Sequence, residues 1–144
     1  MFLDAFALVA LMLEEPAADE VEALLRDTND PASTGAVNLG EVVDRVTRVG
    51  GLDLGDVLNP LSALIHGGLL VHPVETFEGM TAGAIREKFY RRDSCALSMA
   101  DCIALVTALR HDEGIATADP PLAATARAMK IPVHALPDSN GQRP

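Results

Sequence analysis

The sequence contains no tryptophan, one tyrosine and four phenylalanines among its 144 residues. Large aromatic side chains therefore cannot fill its interior, and the core must be built mainly from Ala, Leu and Val. Such residues suit helices that pack against a sheet. Hydrophobic residues make up 49% of the chain, a composition that argues against disorder. The length favours one domain with a substantial core.

Basic residues are also scarce, with 11 Lys and Arg against 21 Asp and Glu, which gives a formal net charge of -10. A surface with this charge repels nucleic acid at long range. If the protein acts on nucleic acid, binding must depend on a local basic cluster or on bound metal ions. A partner protein with a basic segment would be attracted by the same surface.

The chain has two cysteines, too few for a disulfide framework. Cys95 and Cys102 are seven residues apart. Within one helix their Cα atoms would be separated by roughly 10 Å, whereas a disulfide tolerates at most about 7 Å. We predict that both are reduced, buried thiols of a cytoplasmic protein.

No stretch of the sequence is typical of a membrane span. The apolar N-terminus, MFLDAFALVALMLEEP, lacks a basic region, is interrupted by Asp4 and is too short to cross a bilayer. We therefore predict no signal peptide, no association with a membrane and a cytoplasmic location.

Several catalytic motifs are missing as well. The chain has neither a GxSxG nucleophile elbow nor a phosphate-binding loop. Its histidines and cysteines show no spacing that is typical of a metal site. A phosphatase with an aspartyl nucleophile would carry a second acid two residues after Asp4, where this chain has Phe6.

Strand-like and helix-like segments alternate along the whole chain. This alternation predicts an α/β fold, with a central parallel β-sheet flanked by α-helices on both faces. We expect one domain over residues 1–137, a flexible tail over 138–144, and within 36–92 room for a helix pair that projects from the sheet edge. The expected strands are 2–4, 32–34, 69–74, 115–118 and 133–136, and the expected helices are 7–12, one that begins at 14–16, 36–49, 53–66 with a break near Pro60, 77–91, 98–113 and 121–130.

Acidic residues follow two of the expected strands, where open parallel sheets bind their ligands. Asp4 closes the first strand among apolar neighbours, and an isolated buried acid there would be costly, so a functional role is favoured. Asp119 closes the strand IATA, but an Asp before two prolines is also a good helix N-cap. For Asp119 both interpretations stay open.

Two further acids stand on helices. Asp101, in LSMADC, either belongs to a functional site or completes a capping box with Ser98. Glu41 shares one side of its helix with Arg45, and periodicity alone favours a solvent-facing ion pair between them. Carboxylates that do converge would repel one another. Mg²⁺ or Mn²⁺ would relieve this repulsion and could activate water against a phosphodiester.

In order along the chain, the segments LDAFALVALMLEEP, NLGEV, LSMADCIALVTA, IATAD and PVHALP resemble the PIN-domain ribonucleases. Within that family they are similar to the VapC-like toxins of bacterial toxin–antitoxin pairs. The resemblance extends from Phe2 to about Pro137. It implies a PIN-like fold and a metal-dependent endoribonuclease that hydrolyses RNA as the toxin of a VapBC-type module.

The resemblance also implies an acidic quartet around Mg²⁺ or Mn²⁺, formed by Asp4, Glu41, Asp101 and Asp119, in which the first and third acids dominate metal ligation. For Glu41 this overrides the interpretation from periodicity. Thr117 matches a hydroxyl residue beside the fourth acid.

One position departs from the family pattern. Phe6 stands where the family commonly has Ser or Thr, which helps hold water or metal. This departure keeps a second hypothesis open, namely a PIN-fold binding module with weakened catalysis. A third is a PIN nuclease in RNA processing without a toxic role.

The resemblance implies partners too: a VapB-like antitoxin whose C-terminal segment wraps the toxin, an RNA substrate and a second copy of the chain in a homodimer. The candidate RNA contacts form a basic cluster in and after one helix. An equally simple interpretation of this cluster is a solvated helix end, favoured by the helix dipole. Its members are Arg86, Lys88, Arg91 and Arg92.

Overall fold

A five-stranded parallel sheet forms the centre of the protein, as seen in a computed structural model that describes residues 1–144. The strand order is β3-β2-β1-β4-β5, and every neighbouring pair is parallel. The predicted α/β fold class is confirmed. The strands are β1 (Phe2–Leu3), β2 (Ser33–Gly35), β3 (Leu70–His72), β4 (Ile115–Thr117) and β5 (Val133–Ala135).

Seven helices connect and cover these strands, close to where the sequence predicts them. The first helix begins earlier than expected, at Ala5, because Asp4 caps it and so cannot continue the strand. The helices are α1 (Ala5–Met12), α2 (Ala18–Arg26), α3 (Ala36–Arg48), α4 (Leu54–His66), α5 (Thr76–Phe89), α6 (Met99–Arg110) and α7 (Pro120–Ala128).

Side chains on alternate sides of the strands divide the core into two hydrophobic clusters, one on each face of the sheet. In β1, Phe2 belongs to the cluster that also contains Leu105 of α6 and Leu122 of α7. Leu3 belongs to the other cluster, together with Val42 of α3. Helices therefore cover both faces, as parallel sheets require.

No helix pair projects freely from the sheet edge, so that expectation is wrong. Helix α4 contributes Val57 and Leu61 to one core cluster, and α5 contributes Ala82 and Ile85 to the other. Pro60 does not break α4 either. It lies on the exposed side of the helix, where a carbonyl group that loses its intrahelical partner can bond to water.

The strand order also positions the site. From β1 the chain continues through α1 and α2 to β2 on one side, and β4 returns on the other side of β1. The connections thus diverge next to β1, which makes a crevice at the carboxyl ends of β1 and β4. Asp4 follows β1 directly, and Asp119 stands two residues after the end of β4.

Three smaller predictions have different outcomes. Cys95 and Cys102 are free thiols, as predicted, but only Cys102 is buried; Cys95 is partly exposed. None of the seven helices combines the length and apolar composition that a bilayer crossing requires. The flexibility of the tail stays a prediction; Arg143 within it forms an ion pair with Glu20 of α2.

Candidate active site

Two of the site acids are helix N-caps at the carboxyl edge of the sheet. Asp4 caps α1, and its Oδ1 accepts a hydrogen bond from Ala7 N at 2.9 Å. Asp119 caps α7, and its Oδ1 accepts from Leu122 N at 2.7 Å. The N-cap expected for Asp119 is confirmed, and it does not compete with a place in the site, because both aspartates also line one cavity.

Asp101 forms the capping box that its sequence suggests. Its Oδ2 accepts from Ser98 N at 2.6 Å, and its own N–H donates to Ser98 Oγ at 2.9 Å. Asp101 lines the same cavity as Asp4 and Asp119. Three helix N-termini thus meet there, and their partial positive charge supports carboxylates that repel one another.

Because the box satisfies a backbone N–H at the start of α6, Ser98→Ala is expected to lower the free energy of unfolding by about 1 kcal/mol. Ser98→Thr keeps the hydroxyl and should stay close to wild type. Urea unfolding of the three proteins measures this difference. Equal stability of the Ala and Thr variants would contradict a capping role for the Ser98 hydroxyl.

Glu41 reaches the cavity from α3, and the solvent-facing Glu41–Arg45 pair that periodicity favours is absent. The ion pair on this helix joins Asp44 to Arg48 at 2.9 Å. The reason lies in packing: Val42 is fully buried in the core, and the neighbouring side of α3 then faces the crevice rather than open solvent. Glu41 is half-buried there.

The four acids share a cavity of about 350 Å³. The structure therefore brings together all four acids of the predicted quartet. Sequence reasoning missed most of the remaining wall, which comes largely from α3. This part of the lining comprises Asn38, Asp44, Arg45, Arg48 and Val49, with Ala5 and Phe6 from α1.

The electrostatics of the cavity reflect crowded carboxylates. Burial raises the pKa of Asp4 to about 7, although hydrogen bonds from Thr117 and Ala7 work in the opposite direction. The charges of Asp101 and Asp119 raise it further. Burial also raises the pKa of Glu41 and of Asp119, each with a smaller contribution from Asp101. A bound cation would reduce the repulsion between these carboxylates.

Thr117 holds the buried acid in place. Its Oγ1 donates to Asp4 Oδ2 and accepts from the N–H of Asp119 at 3.0 Å. One hydroxyl, itself fully buried, therefore links the ends of β1 and β4.

Removing that link should be measurable. Thr117→Val keeps the shape of the side chain but leaves Asp119 N and Asp4 Oδ2 without this partner, and we expect a loss of about 1–3 kcal/mol of unfolding free energy. Thr117→Ser retains the hydroxyl and is the matched control. Thermal unfolding that fails to distinguish the Val from the Ser variant would remove Thr117 from this role.

The donor set suits a hard divalent cation. No three His, Cys, Asp or Glu side chains are grouped tightly enough to hold an ion as they stand. Each of the three aspartates accepts a backbone N–H with one oxygen. Each carboxylate keeps further lone pairs. Carboxylate oxygens, with ligand shells completed by water, are what Mg²⁺ and Mn²⁺ prefer, so the residues fit either ion.

The predicted basic cluster lies apart from the acid cavity, since none of its members lines it. Arg86 Nε donates to the carbonyl of Leu97 at 3.1 Å, and its guanidinium lies 4.4 Å from the centroid of the Tyr90 ring. Arg91 donates to a backbone carbonyl at 2.7 Å. RNA contact by Arg86, Lys88, Arg91 and Arg92 stays a prediction.

Fold and site together define a class: a parallel α/β domain with an acidic cavity at the carboxyl edge of its sheet. The model of the PIN domain family matches residues 1–128. The chain therefore belongs to the PIN-domain family, which confirms the resemblance read from the sequence. No curated protein sequence matches it significantly.

Solved structures with the same fold include proteins from toxin–antitoxin systems. VapC20 from Mycobacterium tuberculosis, a toxin that cleaves the sarcin-ricin loop, matches with a TM-score of 0.67 at 16% identity, covering 85% of this chain and 92% of that one. A toxin-antitoxin complex from Klebsiella pneumoniae gives 0.61 at 17% identity, covering 82% and 85%. FitAcB from Neisseria gonorrhoeae gives 0.58 at 22% identity, covering 92% and 94%. At these identities the similarity establishes the fold.

Proposed function

We propose that this protein is a metal-dependent endoribonuclease and the toxin of a VapBC-type toxin–antitoxin pair. The observation that carries the proposal is the convergence of Asp4, Glu41, Asp101 and Asp119 on one cavity. Membership of the PIN-domain family and the fold shared with VapC20 support it.

Mg²⁺ or Mn²⁺ bound by these acids would activate water and neutralise charge on the phosphodiester during displacement. We assign direct ligation to Asp4 and Asp101, while Glu41 and Asp119 complete the pocket, directly or through water. Thr117 fixes the orientation of Asp4 by its hydrogen bond. The helix caps hold the aspartates on rigid elements, so little reorganisation is needed when RNA binds.

The test is RNA cleavage by purified protein, freed of any partner, with an end-labelled structured RNA in Mg²⁺, in Mn²⁺ and in EDTA. Asp101→Asn is compared with Asp19→Asn, which changes an exposed aspartate outside the cavity. We expect cleavage by wild type and Asp19→Asn in either metal and none by Asp101→Asn or in EDTA. Equal cleavage by both variants would mean a contaminating nuclease and would leave the proposal without support.

The antitoxin is proposed to bind with a basic segment. The net charge of -10 favours such a partner, and a cavity lined by four acids would accommodate one of its cationic side chains. The homodimer is proposed on the family resemblance. We expect a small reading frame directly upstream of this gene, and its product should end in a basic segment. Absence of such a reading frame would favour a PIN nuclease in RNA processing.

A second candidate, a PIN-fold binding module, is favoured by Phe6. This side chain lines the cavity at the place where the family commonly has a hydroxyl. The two candidates separate on the role of the acids: a binding module should tolerate Asp101→Asn without functional loss, whereas the nuclease should not.

A further inference from the structure

One side chain of the acid cavity is a buried amide without a partner. Asn38 is only 3% exposed, and its Oδ1 is sealed from solvent with no hydrogen bond. Asn38 nevertheless lines the cavity. Buried amides are almost always hydrogen-bonded, and one that is not destabilises the fold. A phosphate cannot satisfy this acceptor oxygen, so the group that Asn38 offers to a ligand in the cavity is its amide nitrogen, which forms no hydrogen bond within the protein.

The backbone makes room for this amide. Gly35, the last residue of β2, lies so close that a Cβ atom there would come within 2.8 Å of Asn38 Oδ1. Any side chain at position 35 would have to displace the amide. The packing around β2 therefore accommodates Asn38 without satisfying its amide oxygen.

Arg45 adds an available positive charge on the same wall. Asn38, Glu41 and Arg45 follow one another at helical spacing and all line the cavity. Arg48, one turn further, is already paired with Asp44. Arg45 forms no ion pair within the chain, although it stands among carboxylates.

The four acids accept hydrogen bonds but donate none when ionised, while the non-bridging oxygens of a phosphodiester require donors or cations. We propose that the α3 wall, defined as Asn38 and Arg45, binds the phosphate backbone of the RNA. Asn38 Nδ2 donates to the scissile phosphate, and Arg45 pairs with a neighbouring phosphate. This inference rests on the proposed function and assigns the substrate side of that same site.

The amide is tested by separating activity from stability. If Asn38 contacts the scissile phosphate, Asn38→Ala lowers kcat for the end-labelled RNA by about a hundredfold, with KM little changed. Because the amide has no partner in the free protein, the same variant should unfold at an unchanged or higher temperature in EDTA. A parallel loss of activity and of thermal stability would indicate a structural residue and overturn this part.

The guanidinium is tested through the salt dependence of binding. The probe is a short fluorescent single-stranded RNA, measured by anisotropy in Ca²⁺, an oxygen-seeking ion that can neutralise the cavity. Arg45→Gln should weaken binding and reduce the slope of log K against log salt by about 0.7, the value for one phosphate contact. Arg26→Gln changes an exposed arginine outside the cavity. This variant should leave the affinity for the RNA and the salt slope unchanged. A wild-type slope in Arg45→Gln would overturn the assignment.

The two levels fail in different ways. Wild type that binds the probe with an Arg45-dependent slope but cleaves no RNA would overturn the proposed nuclease and keep the α3 wall as a phosphate-binding surface. If wild type cleaves RNA and both Asn38→Ala and Arg45→Gln behave like wild type, the proposed nuclease stands and phosphate binding by the α3 wall is overturned. Failure of wild type to bind or cleave would remove both.

Discussion

Asp4→Asn is expected to reduce metal-dependent RNA cleavage by about a thousandfold or more, an effect of the size seen when a central catalytic group is lost. The neutral amide cannot supply the anionic oxygen that a divalent cation requires. An amide oxygen can still accept from Ala7 N, and the amide nitrogen can donate to Thr117 Oγ1, whose own proton then turns away from position 4. Cleavage of the end-labelled RNA under single-turnover conditions measures the loss.

The stability of this variant separates a catalytic from a structural role. In EDTA, Asp4→Asn removes a buried charge beside other carboxylates, so the metal-free variant should be at least as stable as wild type above about pH 7. Asp19→Asn is the matched control, with wild-type activity and stability expected. If Asp4→Asn is inactive because it unfolds, its thermal midpoint in EDTA falls below that of both other proteins, and the metal-ligand assignment loses its basis.

The second large effect is the pH dependence of the metal-free protein. Burial raises the pKa of Asp4 from 3.8 to about 7, so between these values the folded state holds a proton that the unfolded chain has released. The free energy of unfolding therefore falls as pH rises through this window, by up to about 4 kcal/mol at 1.36 kcal/mol per pH unit. The raised pKa values of Glu41 and Asp119 act in the same direction.

A metal ion reverses this dependence, because it must displace the proton that Asp4 holds. Mg²⁺ should stabilise the protein little near about pH 5 and strongly near about pH 8. Urea unfolding of wild type and Asp4→Asn in EDTA and in Mg²⁺, across that range, measures both effects. The slope of stability against pH should be clearly smaller in Asp4→Asn, and identical slopes would show that Asp4 does not titrate as described.

Much of the fold follows from local patterns in the chain. Strands and helices alternate with clear turn signals, and Asp4, Ser98 and Asp119 stand where helices begin, so the elements are predictable within a few residues. The ends shift where one residue serves two elements: Asp4 ends the expected strand but caps α1. The sequence predicts a break near Pro60, but the helix continues. Pro60 faces solvent, and only the tertiary structure determines that.

The four acids of the cavity could be predicted from the sequence, whereas the other residues that line it could not. The order of Asp4, Glu41, Asp101 and Asp119 along the chain matches a family pattern, and all four line one cavity. Helical periodicity alone misassigned Glu41, because a polar stripe on a helix looks the same whether it faces water or a crevice. Asn38 belongs to the NLGEV segment that carries the family resemblance, but nothing in the sequence assigns Asn38 or Arg45 to the site, so only the packing of α3 identifies them as cavity residues.

The central claim is that the four acids form a metal site, and Mn²⁺ titration of the metal-free protein by calorimetry tests it most directly. Wild type and Asp19→Asn should bind Mn²⁺ saturably, with affinity that rises from about pH 5 to about pH 8, and Asp101→Asn should lose that binding. Equal binding of Mn²⁺ by wild type and Asp101→Asn would contradict the claim.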